Sequence, residues 1–234
     1  MSQSQPETLK AMPTARSAIL DRIKARGAAT LQELADELEH TREAVRQQVR
    51  ILMDQGWLVR ERLPSEGRGR PEHRYTLSEA GDHLFPKHYD RMSLALVDTL
   101  AEELGEEGLK RMLAALTDRQ VDEWRDRLAG RPLPERLKQL QGIYYEDDPW
   151  TEVDRDERGW VLVERNCPFL NLAQRRPKLC SVTVSTLSRL LGVEVRREAR
   201  FQDGDRRCVF RVLADRPLPE GFRFAFEDEA EPTG

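Results

Sequence analysis

Three cysteines, Cys167, Cys180 and Cys208, form the residue pattern most able to do chemistry in this chain. The first two close off the stretch NCPFLNLAQRRPKLC, and the third lies far downstream in RRCVFRV. Twelve residues separate the first pair and twenty-seven the second. Thiols so placed serve as nucleophiles, disulfide partners, zinc ligands or iron–sulfur ligands. Three cannot all pair within one chain. The N-terminal MSQSQPETLKAMPTAR also lacks the apolar core of a secretory signal, so the expected location is the reducing cytoplasm.

The surroundings narrow the choice. All four histidines (His40, His73, His83 and His88) precede the cysteine-bearing region, which removes a Cys–His catalytic pair. With no phosphate-cradling glycine loop either, the chain reads as a non-enzyme. Structural zinc wants four nitrogen or sulfur ligands, and this region offers three cysteines and no histidine. An iron–sulfur cubane accepts three thiolates and leaves its fourth iron to a carboxylate, an amide, solvent or a small thiol. Arg165, Arg175, Arg176, Lys178, Arg206 and Arg207 would offset the negative charge of such a group. Against this stands the reading of three small buried core residues, which spacing alone leaves open.

The elements that must position these thiols read as strands over 150–156, 159–166, 193–201 and 206–213, with a helix over SVTVSTLSRLLG. The turn QDGD joins the last two strands. Cys167 then ends a strand before Pro168 forces a turn, Cys180 opens the helix, and Cys208 lies on the returning strand of the hairpin. A helix N-terminus at Cys180 favours its thiolate.

The first eighty residues read differently. SAILDRIKARG, TLQELADELEH and TREAVRQQVRILMDQG form three short helices, with a capping box at Thr30–Glu33 and a glycine stop at Gly27. Two strands, Trp57–Arg62 and His73–Leu77, follow around a glycine- and arginine-rich loop. This order is a winged helix-turn-helix. On its third helix Val45, Val49, Leu52 and Met53 share an inner face. Glu43, Arg46, Gln47 and Arg50 share the outer one, where Arg can read guanine, Gln adenine and Glu the cytosine amino group. Thr41 and Arg42 at the first turn suit the DNA backbone. Arg68 and Arg70 suit a wing tip in the minor groove. The 234-residue chain carries a net charge of −4, yet residues 40–75 hold eight Arg against five acidic residues. That local excess fits double-stranded DNA as partner.

Between the two regions, residues 82–141 are helical. Leu94, Val97, Ala101 and Leu104, and then Val121, Trp124 and Leu128, follow 3-4-3 spacing, broken by the glycines of LGEEG. That stripe serves a homodimer interface or packs on its own domain. No apolar run approaches the ~20 residues that cross a bilayer, so no membrane partner is expected. The expected fold class is α+β: an N-terminal winged helix-turn-helix, central dimerisation helices, and a small C-terminal α+β domain with an antiparallel sheet. The expected divisions are a disordered tail (1–15), a DNA-binding domain (16–81), a helical dimerisation region (82–141), a cluster-binding domain (142–215) and a mobile acidic tail (216–234).

From residue 16 to 213 the chain resembles winged-helix repressors of the SufR type, an ArsR/DeoR-like group that controls iron–sulfur assembly operons. The most specific likeness lies in ERNCPF, LLG and RCVFRV, with Cys167, Cys180 and Cys208 at that family's spacing. The resemblance implies a homodimeric repressor with a [4Fe-4S] cluster on these cysteines, the alternatives being [2Fe-2S] or zinc. It further implies that the loaded form occupies an operator and that cluster loss releases transcription. Coupling of about 1–3 kcal/mol suffices for a modest switch. Some relatives carry one more cysteine just before the position of Cys167. Here Val163 and Glu164 occupy that neighbourhood, leaving Glu164 and Asn166 as candidates for the fourth ligand. The alternative function is a winged-helix regulator responding to zinc, thiols or a small ligand without a cluster.

Overall fold

The computed structural model describes residues 11–62 and 73–229. The chain divides into two compact units, Met1–His88 and Tyr89–Gly234.

In the first unit, helix α1 (Thr14–Arg26) ends at Gly27, whose φ of 81° is reached cheaply only without a Cβ. A two-residue strand β1 (Ala29–Thr30), which the sequence pattern does not announce, pairs with the wing. Helix α2 (Leu31–Glu37) opens with the expected capping box, Thr30 and Glu33 each satisfying the other's backbone N–H. Helix α3 (Arg42–Asp54) is capped by the Thr41 hydroxyl, which accepts from the Ala44 N–H at 3.2 Å. Strands β2 (Leu58–Arg62) and β3 (His73–Leu77) pair antiparallel from Leu58–Leu77 to Arg62–His73, giving the sheet order β1-β3-β2. Ile19, Leu20 and Ile23 of α1, Leu34 of α2, and Val45, Val49 and Leu52 of α3 meet in one core. Each such side chain contributes about 1.5–3 kcal/mol on burial. The short helix α4 (Glu79–Asp82) closes the unit, with Lys24 and Lys87 both bound to Asp82.

The second unit begins with α5 (Tyr89–Leu128), two helical segments that meet at Gly105, where φ is 65° and ψ −173°. The break falls where LGEEG interrupts the stripe. Helix α6 (Leu133–Tyr144) follows. Strands β4 (Glu152–Asp156), β5 (Gly159–Glu164), β6 (Val193–Ala199) and β7 (Cys208–Pro217) form an antiparallel sheet in the order β4-β5-β7-β6. Between β5 and β6 lie a short helix α7 (Leu170–Arg175), a 3₁₀ turn (Pro177–Cys180) and helix α8 (Ser181–Leu191). Leu162, Val195, Phe210 and Val212 of the sheet pack with Leu187, Leu190 and Leu191 of α8 and with Leu137 and Leu140 of α6. Arg211, 4% exposed, is held between Asp156 (2.7 and 2.8 Å) and Glu198 (3.0 and 3.1 Å).

Two expectations change here. Residues 216–229 are not a free tail. β7 runs to Pro217, and Phe226 is buried against Leu109 and Leu113 of α5, with its ring edge-on to Phe224. Those aromatic residues carry more apolar area than the neighbouring acids can keep in solvent. The stripe on α5 also divides: Val97 and Ala101 pack inside the unit, whereas Leu104 stays 51% exposed.

Candidate DNA interface and cysteine-lined pocket

Helix α3 keeps Val45, Val49 and Leu52 at 0–2% exposure, which turns Glu43, Arg46, Gln47 and Arg50 outward. The rotation follows from the apolar period of 3.6, since locking one face to the core fixes the opposite face in solvent. Arg46 donates to Glu43 at 2.8 Å, and Arg50 stands 4.0 Å from Asp54. Arg42 and the N-cap Thr41 occupy the exposed first turn. A groove of ≈ 760 Å³ runs between α3 and the hairpin, with Arg42, Arg46 and Arg50 on one wall and Arg60 and His73 on the other. Arg60 and His73 escaped the sequence reading because nothing in a strand's alternation says which helix its face will meet. Arg68 and Arg70, the expected wing-tip residues, lie outside the described residues.

In the second unit, Cys167, Cys180, Cys208, Glu164 and Asn166 all line one pocket of ≈ 130 Å³. A single water needs about 10–15 Å³, so the space suits a compact polyatomic group. These five residues come from β5, the turn after it, the 3₁₀ turn and β7. Cys167 lies just past the end of β5, at the turn made by Pro168. Cys180 ends the 3₁₀ turn and precedes the first residue of α8. Cys208 opens β7 directly across from Glu164 at the end of β5. Trp160–Val212, Leu162–Phe210 and Glu164–Cys208 are successive same-face pairs, so the apolar row of the sheet ends in a carboxyl and a thiol.

Cys180 accepts from Gln202 Nε2 at 3.0 Å, and the backbones of Phe169 and Phe201 favour the thiolates of Cys167 and Cys208. Burial pushes the Cys167 thiol up to about 12, reinforced by the Glu164 charge, and raises the Cys208 thiol in the same way. Without a bound positive group these are neutral, sheltered thiols rather than reactive thiolates. Burial likewise raises the Glu164 carboxyl to about 7, an effect that Arg197 opposes. The Arg197 side chain, 4% exposed, donates to the Cys180 carbonyl at 2.9 Å and to Glu227 at 2.7 Å. Its Nε and the Gln202 Oε1 are buried with no hydrogen-bond partner.

The donor set discriminates between possible occupants. Among the described residues no group of three or more His, Cys, Asp or Glu gathers tightly enough for a single metal ion. Three thiols and a carboxyl on one pocket are donor types that an iron–sulfur cluster accepts, and the pocket lining includes no histidine for zinc.

Residues 12–69 match the model of the MarR family, whose members are DNA-binding regulators and not enzymes. Over that span the N-terminal unit is similar to the MarR family. The matched span includes α1 to β2 and the outward face of α3, and it stops short of the cysteine pocket. Two solved structures are similar in part. One is the NMB1585 MarR family regulator from Neisseria meningitidis, 18% identical over 47% of this chain and 74% of its own, with a TM-score of 0.28. The other is a cysteine-to-serine mutant of Lactococcus lactis ZitR, 19% identical over 51% of this chain and 80% of its own, with a TM-score of 0.29. Scores this low establish no shared overall fold. No curated protein matches the chain.

In the second unit the three predicted cysteines and both fourth-ligand candidates come together, but the predicted counter-charges do not. Arg165 pairs with Glu152, Arg176 with Asp98 (2.5 and 2.6 Å) and Lys178 with Glu106, all on the surface. The buried cation is Arg197, hidden in the sequence within VEVRREAR as an ordinary strand arginine. Gln202 and Asp148 were equally illegible, each brought in by tertiary packing. No described helix is long and apolar enough to cross a membrane.

Proposed function

We propose that this chain is a cytoplasmic, homodimeric transcriptional repressor that senses iron–sulfur status and controls cluster-assembly genes. The winged helix reads double-stranded operator DNA through Arg46, Gln47 and Arg50, with Arg42 and Thr41 on the backbone. Cys167, Cys180 and Cys208 hold a [4Fe-4S] cluster in the second unit. The observation that carries this reading is the meeting of three thiols in one pocket, with Gln202 Nε2 donating to Cys180.

A bound cluster supplies a prosthetic group that oxidants and iron shortage can damage. The chain's own part is to orient three sulfurs, exclude bulk water from Cys208 and place the buried Arg197 charge beside them. The exposed Tyr89, Met92, Leu96 and Leu104 of α5 favour a second copy of the chain as partner. Two copies double the phosphate contacts that a single winged helix makes on a two-fold site.

Anaerobic purification and reconstitution, followed by iron, sulfide and zinc analysis and a visible spectrum, tests the reading. Brown protein with matched iron and sulfide that binds operator DNA differently from the apo form is the expected result. Iron-free protein after reconstitution overturns it. Stoichiometric zinc in that case favours the alternative regulator without a cluster.

A further inference from the structure

The three cysteines leave one corner of a cubane without a protein sulfur, and the pocket holds several oxygen donors that could meet it. Resting on the cluster reading above, we infer that Glu164 is the oxygen ligand that completes the shell of Cys167, Cys180 and Cys208.

The sheet places it there. Glu164 stands opposite Cys208 in the β5–β7 register, on the same face. Directly opposed residues have Cβ atoms about 4.5–5.5 Å apart. The two side chains thus start as neighbours and enter the same pocket. Glu164 is 7% exposed, and among the described residues its carboxyl forms no hydrogen bond or ion pair. A carboxyl group so buried, with the Arg197 charge but no hydrogen bond to offset its burial, is costly to keep. A cationic iron at the open corner removes that cost.

The rival oxygens are engaged or less suited. Asn166 is exposed, and its amide donates to the Asp147 carbonyl at 2.8 Å. Asp148 is taken by the backbone N–H groups of Arg165 at 2.5 Å and Trp150 at 3.1 Å. Gln202 spends its amide nitrogen on Cys180, and its remaining oxygen is neutral, a weaker ligand for iron than a carboxylate. Arg197, the buried cation of the pocket, offsets the negative charge that a carboxylate adds to three thiolates.

The test uses the full chain reconstituted without oxygen, comparing wild type with Glu164→Gln, Glu164→Cys, Asn166→Ala and Gln202→Leu. Iron and sulfide per chain, the Mössbauer spectrum and the rate of iron release to a chelator are measured. Circular dichroism of each apo variant checks folding. Wild type should show one iron distinct from the others. Glu164→Gln should lose that iron or its distinct signal and release iron faster. The change should be no smaller than the roughly 10–100-fold that loss of an outer-shell partner costs a metal site. Glu164→Cys should hold a cluster of altered spectrum and restore slow release, and Asn166→Ala should match wild type. A Glu164→Gln protein with wild-type iron, spectrum and release rate overturns the assignment while leaving the cluster intact. So does a Gln202→Leu or Asn166→Ala protein that alone shows the loss. A wild type that takes up neither iron nor sulfide overturns the cluster reading itself.

Discussion

Replacing Glu43 with glutamine should raise affinity for mixed-sequence duplex DNA about twofold, because it frees Arg46. In the isolated unit the two side chains are paired at 2.8 Å on the outer face of α3, Glu43 being 77% and Arg46 49% exposed. Such an exposed i,i+3 pair is worth about 0.3–0.5 kcal/mol. That energy is lost whenever Arg46 turns to DNA, and glutamine removes the penalty. Arg46→Ala should cost about 1–3 kcal/mol on a preferred site if Arg46 grips a guanine. Fluorescence anisotropy between about 50 and 200 mM salt separates the causes, since each phosphate contact adds about 0.9 to the logarithmic salt slope. The decisive comparison is a double-mutant cycle. If Glu43 acts by holding Arg46, Glu43→Gln should change nothing in the Arg46→Ala background. An equal gain in both backgrounds would refute the reasoning and leave only a general charge effect. A loss of affinity would instead make Glu43 itself a reader of the cytosine amino group.

Three further outcomes follow from the packing. Leu52→Ala, at a fully buried position of α3, should destabilise the first unit by about 2–5 kcal/mol and weaken DNA binding in step, as chemical denaturation will show. Gly81→Ala should unfold the same unit more severely than its one added methyl suggests, because a Cβ there overlaps the Trp57 carbonyl oxygen; the thermal midpoint is the readout. The Arg211 hydrogen bonds hold Glu198 and Asp156 below the usual carboxylate range, so they stabilise the sheet above the ordinary carboxylate pKa. That stabilisation fades as pH falls through the lowered values. Arg211→Met should therefore flatten the acid limb of stability against pH, measured by denaturant midpoints from neutral pH downward.

Much of the fold was legible because it is written in short-range periodicity. The 3.6-residue stripe of Val45, Val49 and Leu52 dictates both the core and, by subtraction, the outward side chains of α3. Thr30, Glu33 and Gly27 mark helix ends through bonds to backbone only a few residues away. Strand alternation placed β4 to β7, and cysteine type and spacing pointed to the pocket. What escaped is tertiary. The strand register that sets Glu164 against Cys208 is long-range, and a buried arginine such as Arg197 looks in sequence like its exposed neighbour Arg196. Phe226 sits among acidic residues whose composition outweighed two aromatic rings in the reading and not in the packing.

The surface pairs Arg176–Asp98 and Lys178–Glu106 tie one short segment to α5 on either side of its break at Gly105. The same segment delivers Cys180 to the pocket. The two ion pairs thus join the segment that carries Cys180 to both arms of the bent helix. Both pairs are solvent-exposed, so they weaken as ionic strength rises. The phosphate contacts of the proposed DNA complex weaken over the same salt range, so a salt series on the chain will move the anchoring of this segment and DNA affinity together.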